Sequence, residues 1–262
     1  MSEIKNIEVF NDTLRRCQHE YLETTKKCIE STIFYPNPSK SFYGMRGGNS
    51  GGVVLFENGG SVSTAYREAK HSKVALLDFA DGLKPGGWPE QGASTQEENI
   101  CRCTNLFEVL VEHSEYYKQN KTAPSDICTD GILYVPDATI FKNDVSYARI
   151  QPRCTDVIVC PAPKGHKLSS LDILTKRATG IVQSAVKNKA EVLILGAWGC
   201  GAFGQSPLLV GTAFATALNK YNHFKKVIFV FRPTPGWGED SNFSGVLGGF
   251  SVEYKGDVYG KY

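Results

Sequence analysis

At 262 residues, 41% of them hydrophobic and 21% charged, the chain has the composition of one large globular α/β domain with a substantial core, not of a disordered or fibrous protein. A formal net charge of +2 excludes the basic footprint of a dedicated nucleic-acid binder, so an anionic ligand requires a local site. Met1 to Phe10 lack the apolar core of a signal peptide and no run approaches membrane-spanning length; the expected setting is soluble and cytoplasmic, or nuclear in a eukaryote.

Asn11 and Asp12 can cap a first helix in which Leu14, Cys17, Tyr21, Cys28 and Ile29 form an apolar stripe, with Arg15, Arg16, Glu20, Glu23, Lys26 and Lys27 on a solvated face. It is read as an accessory helix packed on the main domain. Tyr35-Pro36-Asn37-Pro38 breaks the chain. Gly44 to Gly52 lacks the Gly-Lys-Ser/Thr ending of a phosphate-binding loop and is read as a plain loop. Val53 to Phe56 suits a short strand and Thr64 to Lys70 a helix.

Val74 to Phe79 is a nearly continuous apolar run, as in a strand covered on both faces, interrupted by Asp78 at its carboxyl end, where a crevice is expected. Pro85-Gly86-Gly87 allows a ligand to lie against the main chain. Ser94 and Thr95 each precede a glutamate, Glu97 and Glu98, at capping-box spacing, and Ile100, Cys103, Phe107 and Leu110 continue at helical spacing. Paired carboxylates at a helix start are explained by the macrodipole and the cap as readily as by catalysis.

Gly131 to Pro136 and Val157 to Pro163 are apolar runs stopped by proline and are read as buried strands; Phe141-Lys142-Asn143-Asp144 between them is read as surface. Leu171 to Lys187 has helical spacing. Val192 to Leu195 is the clearest strand and runs into Gly196-Ala197-Trp198-Gly199-Cys200-Gly201-Ala202-Phe203-Gly204, then a helix from Pro207 to Asn219. That order suits an anion site, although a structural turn is the default reading of one glycine-rich loop. Val227 to Phe231 is a strand ending at Arg232 to Gly238, and Phe250 to Tyr254 a last one. The alternation predicts one parallel or mixed sheet with helices on both faces.

The eight cysteines are scattered without paired ligand spacing and are expected as reduced, mostly buried thiols. His19, His71, His113, His166 and His223 show no metal-ligand spacing, so neither metal nor cofactor is expected.

Gln96-Glu97-Glu98 follows Gly86-Gly87-Trp88 after a short spacer, with Asp78-Phe79-Ala80 upstream and Gly-Ala-Trp-Gly-Cys-Gly-x-Phe downstream. This resembles the poly(ADP-ribose) glycohydrolase family, and most closely its microbial branch. The resemblance implies a macrodomain-like three-layer α/β/α sandwich with a mixed central sheet (46–262) and an N-terminal helical extension (1–45). It further implies a monomeric hydrolase acting on ADP-ribose or poly(ADP-ribose) attached to protein or nucleic acid. On that resemblance Glu98 is the catalytic acid, with Glu97 and Asp78 beside it. Phe79, Ala80, Asp81, Gly86, Gly87 and Gln96 would contact the ribose end, and Gly199, Cys200, Gly201, Ala202 and Phe203 would wrap the diphosphate. A carboxylic acid suits the chemistry, because cleaving a ribose–ribose O-glycosidic bond expels a poor alkoxide that must be protonated.

Two positions depart from the pattern: Trp88 stands where the family has a third glycine, and Asp81 where it has asparagine. The indole either narrows the site, restricts the substrate, or packs away from it. Asp78 matches the animal enzymes, whereas the microbial branch has asparagine. A non-catalytic ADP-ribose-binding module is the alternative reading.

Overall fold

A computed structural model describes residues 2–165 and 170–231 and the backbone of 252–255. The elements in chain order are α1 (Glu3–Gln18), α2 (Leu22–Ser31), β1 (Ile33–Tyr35), α3 (Pro38–Ser41), β2 (Gly48–Asn49), β3 (Val53–Asn58), α4 (Ser61–Glu68), β4 (Val74–Asp78), a 3-10 turn (Pro89–Gln91), α5 (Gln96–Cys103), α6 (Leu106–Glu112) and α7 (Ser114–Asn120). They continue with β5 (Ile132–Lys142), β6 (Arg149–Val159), α8 (Ser170–Lys187), β7 (Val192–Gly196), α9 (Pro207–Tyr221), β8 (Lys226–Phe231) and β9 (Val252–Lys255).

Eight strands form one sheet in the order β1-β5-β6-β4-β7-β8-β3-β9. Strands β6, β4, β7, β8, β3 and β9 run parallel, while β5 is antiparallel to both β6 and β1. The side-chain period of two splits the apolar runs cleanly. Ala75, Leu77, Leu193, Leu195, Val227 and Phe229 face one core with α8 and α9. Val74, Leu76, Val192, Ile194 and Ile228 face a second core with Phe10 of α1 and apolar residues of α4 to α7. The result is the expected three-layer α/β/α sandwich. Because the central strands are parallel, their carboxyl ends share one edge, where a ligand crevice belongs. No helix among the described residues is long and apolar enough to cross a membrane.

Several local expectations are corrected. The first helix is capped by Ser2, whose side chain accepts from the Lys5 amide, and two helices replace one. Asp12 is not a cap but an ion-pair partner of Arg16 and of buried Lys142. Burial opposes its ionisation, yet hydrogen bonds from Arg16, Lys142 and Arg15 outweigh that and hold its carboxyl well below the usual range. Residues 1–45 also carry the edge strand β1.

Pro136 does not stop its strand. Register shifts between Val135 and Ala138, and Asp137 takes a φ of 54°, so the missing proline amide falls in a bulge. Phe141 and Lys142, expected at the surface, are buried at 1% and 2% exposure, because the N-terminal helices lie over them. Tyr21 stacks on Phe141 at 4.4 Å, and Lys142 Nζ donates to Thr13 Oγ1 at 2.7 Å and the Val9 carbonyl at 3.0 Å. The helix expected to run from Thr95 through Leu110 breaks at Thr104, which is extended (φ −136°, ψ 175°) and bridges Ile140. Asn105 then reaches Thr139 N at 2.8 Å.

Gly44 to Gly52 is a loop whose Gly48 and Asn49 bridge Tyr221 and Asn222. The Arg232 to Gly238 loop, His166 and Phe250 lie outside the described residues, and the last strand is described over Val252–Lys255. All eight cysteines are free thiols, Cys154 alone being exposed.

Candidate active site

The carboxyl ends of β3, β4, β6, β7 and β8 surround a cavity of about 630 Å³, lined by Gly59, Ser61, Phe79, Asp81, Gly87, Trp88, Thr95, Gln96, Glu97, Glu98, Asn99, Ala162, Ala197, Trp198, Gly199, Gly201, Ala202, Phe203, Val230 and Phe231. This is the size range of a small-molecule site.

At its floor, Thr95 caps α5 in a true capping box with Glu98. Glu98 Oε2 accepts from Thr95 N at 2.9 Å and from the Thr95 hydroxyl, while Oε1 accepts from Trp88 N at 3.1 Å. The cap therefore orients Glu98 in the cavity, and capping and site roles coincide. Glu97 Oε2 accepts from Asp81 N at 2.7 Å, and its buried Oε1 has no protein partner. Behind them Asp78 is fully buried, with both carboxyl oxygens unpartnered.

Burial raises the Asp78 carboxyl well above its ordinary value, and the charge of Glu98 adds to this. Glu97 is raised by burial and by Asp78, against the opposing hydrogen bond from Asp81 N. An ionised carboxylate without donors is very costly in such a place, so these groups hold protons far above the pH at which an exposed carboxyl would lose them. A raised carboxyl stabilises the fold fully below its unfolded value, 3.8 for Asp, and that contribution is lost as pH rises through the folded value, because the unfolded chain ionises first. Asp78→Asn is accordingly expected to flatten the fall in stability between acid and alkaline pH. Urea melts across the pH range check this; parallel curves for the two proteins would refute it.

The preceding loop is built to approach these carboxyls. Gly86 and Gly87 both have φ of 69°, left-handed backbone that favours glycine. A Cβ on Gly87 would lie 2.4 Å from Glu98 Oε1 and 3.2 Å from Glu97 Oε2, so the two carboxyls converge on one backbone position although neighbouring helix residues point about 100° apart. Trp88 has φ −127°, which any residue adopts. That is why a tryptophan is tolerated there. Its indole is half-exposed at the rim of the cavity. Asp81 Oδ1 accepts from Leu83 N at 2.8 Å and Lys84 N at 3.1 Å, closing the start of the loop. Gln96 ties it to β4, accepting from Phe79 N at 2.9 Å and donating to the Leu77 carbonyl at 2.7 Å. From α1, buried Asn6 donates to the Gly92 carbonyl at 2.9 Å.

Across the cavity the glycine loop after β7 folds on itself through Trp198 N to Gly196 O at 2.8 Å, Cys200 N to Ala197 O at 3.0 Å and Gln205 N to Gly199 O at 2.9 Å. The amides of Gly199, Gly201, Ala202 and Phe203 make no backbone hydrogen bond among the described residues. They are free for an anion. The first turn of α9 does not line the cavity, so loop amides, not the helix terminus, make this wall.

A family model for the microbial-type PARG catalytic domain matches residues 7–143, a little over half of the chain. The chain belongs to this family. The structure is similar to that of poly(ADP-ribose) glycohydrolase (PARG) from Thermomonospora curvata, with TM-score 0.83 and 21% identity over 92% of this chain and 99% of that one. It is also similar to the same enzyme bound to the inhibitor ADP-HPD (0.80, 22%, 92% and 98%) and to PARG from Deinococcus radiodurans in complex with ADP-ribose (0.78, 25%, 86% and 97%). No curated protein sequence matches. The chain is thus an enzyme of the PARG class, as the resemblance implied.

Of the residues singled out in the sequence, Phe79, Asp81, Gly87, Gln96, Glu97, Glu98, Gly199, Gly201, Ala202 and Phe203 line this PARG cavity. Asp78, Ala80, Gly86 and Cys200 do not. Asp78 lies beneath the floor and Ala80 is in the core. Gly86 packs where a Cβ would meet Phe107 at 2.7 Å. Cys200 is buried and its thiol is pushed up to about 12 by burial. Gly59, Ser61, Asn99, Val230 and Phe231 are lining residues that no motif marked. Their common signal is position at or just beyond a strand's carboxyl end, or on α5 beyond the motif. Among the described residues no cluster of three or more His, Cys, Asp or Glu is placed to hold a metal.

Proposed function

We propose that this PARG-family enzyme releases ADP-ribose by cleaving the ribose–ribose O-glycosidic bond of poly(ADP-ribose), with Glu98 as general acid. One observation carries the reading: a carboxyl pair on the floor faces a cavity whose wall offers free backbone amides. A proton donor at one end and an anion cradle at the other are what a diphosphate-linked glycoside requires.

A carboxyl group has about four lone-pair sites, and Glu98 accepts hydrogen bonds at three of them, which leaves the fourth to carry the proton that is donated to the glycosidic oxygen. Asp78 and Glu97 keep protons in the same buried cluster. Proton transfer from Glu98 lets the alkoxide leave as the oxocarbenium-like centre forms, and the resulting carboxylate takes a proton from the attacking water. Glu97, anchored on the Asp81 amide, holds ribose hydroxyls. The binding-only alternative rested on Trp88 and Asp81. Both keep the carboxyls in place, Trp88 through its amide to Glu98 and Asp81 through its amide to Glu97.

Incubation of the pure protein with labelled poly(ADP-ribose) tests the reading: release of ADP-ribose is expected, and a folded preparation that binds ADP-ribose without turnover would overturn it. Phe203, half-buried beside the loop amides, packs over the ribose or diphosphate. Phe203→Ala is expected to weaken ADP-ribose binding several-fold while the melting temperature changes little. Unchanged affinity with a large loss of stability would assign Phe203 to the core.

A further inference from the structure

The rim of the cavity beside Glu98 carries an aromatic platform. Trp88 is 47% exposed and lines the cavity. Its amide donates to Glu98 Oε1 at 3.1 Å, so the indole stands next to the carboxyl that the proposed reaction brings to the glycosidic oxygen. Lys84 Nζ lies 3.2 Å from the ring centroid and also pairs with Glu90. A ring face that holds a flexible, partly exposed ammonium is a face not packed on protein. The backbone beneath is fixed, with Gln91 N and Ala93 N donating to the Trp88 carbonyl at 3.1 and 3.3 Å, and Asp81 Oδ1 holding the Leu83 and Lys84 amides. A platform held this way loses little freedom on binding.

In poly(ADP-ribose) the departing oxygen belongs to the ribose 2′-hydroxyl of the next unit's adenosine. The leaving group therefore carries a purine on the adjacent ribose carbon and an anionic diphosphate beyond it. We propose that Trp88 and Lys84 form a leaving-group subsite, in which the indole stacks on this adenine and Lys84 moves from the ring face to the diphosphate. The subsite rests on the glycohydrolase reading of the same cavity. It makes the enzyme select polymer over ADP-ribose attached to an amino-acid side chain, whose leaving group presents neither base nor phosphate.

Calorimetry on the Glu98→Gln protein, with ADP-ribose and with a ribose-linked ADP-ribose dimer as titrants, tests this. Base–aromatic stacking corresponds to about 5- to 160-fold in affinity, and the dimer is expected to bind tighter than ADP-ribose by that factor. Adding Trp88→Ala should remove the difference and leave ADP-ribose affinity in place, and Trp88→Phe should restore part of it. In the active enzyme, Trp88→Ala should lower kcat/KM on the dimer to a similar extent. If the dimer advantage is absent, or survives Trp88→Ala, while the wild-type protein still releases ADP-ribose, the subsite is wrong and the glycohydrolase reading stands. If Trp88→Ala weakens ADP-ribose itself equally, the indole serves the terminal unit and the subsite is again wrong. Absence of release from polymer by the wild-type protein removes the glycohydrolase reading and the subsite with it.

Discussion

Glu98→Gln is expected to slow single-turnover release of ADP-ribose from poly(ADP-ribose) by about 10²–10⁴-fold, the range typical of a lost general acid. Glutamine keeps the size of the side chain and an acceptor for the Trp88 amide, which the native carboxyl holds at 3.1 Å, but it cannot give up a proton as the alkoxide departs. Substrate affinity should therefore be retained. Part of the capping box is lost, because one Thr95 donor meets an amide NH₂, and a cap of this kind contributes about 1 kcal/mol. A melting curve separates that cost from the kinetic one. Glu97→Gln should act more through affinity, since Glu97 is anchored by the Asp81 amide and assigned to the ribose hydroxyls. Rapid-quench rates together with calorimetry on both variants decide the matter. A steeper rate loss for Glu97→Gln, with binding weakened mainly by Glu98→Gln, would exchange the two roles.

Gly87→Ala should be nearly as damaging, although it removes no functional group. Its φ of 69° costs an L-residue about 1–2 kcal/mol. The added Cβ would also stand 2.4 Å from Glu98 Oε1 and 3.2 Å from Glu97 Oε2, so both carboxyls must move. Misplacement of a reacting group by about 1 Å costs on the order of 10²-fold in rate. The same change at Trp88, where φ is −127°, brings no backbone strain, so the two positions separate backbone geometry from side-chain chemistry. Turnover in the Gly87→Ala variant within a few-fold of wild type would show that the floor yields without loss of function.

Legibility differed from element to element. The strand at 74–78, the helix at 170–187 and the strand at 192–196 are legible nearly to the residue, because each is apolar at its own period and packs on neighbours that do not alter it. Pro136 and Phe141 to Lys142 depart from their local pattern, because local chemistry there is overruled from outside. A bulge absorbs the proline, and α1 and α2, far away in sequence, cover the hydrophobic and charged pair. The break at Thr104 has the same origin, since its backbone answers to Ile140 across the fold.

For the site, local sequence determined what is local: the Thr95–Glu98 cap, the glycines that let a loop come close, and the free-amide loop after a strand. Strand periodicity sorts the residues into two alternating sets, whereas the packed helices decide which core each set meets. Only the tertiary structure decided that the two glutamates, divergent on their helix, converge on Gly87, that Trp88 faces the rim, and that Asp78 is sealed beneath them without a partner. Those outcomes depend on which backbone amide or solvent-free space a side chain meets across the fold. Each partner comes from a separate element, positioned by the parallel sheet and by the Asn6 contact from α1; spacing along the chain specifies the donors and acceptors, whereas packing of the layers selects which of them meet.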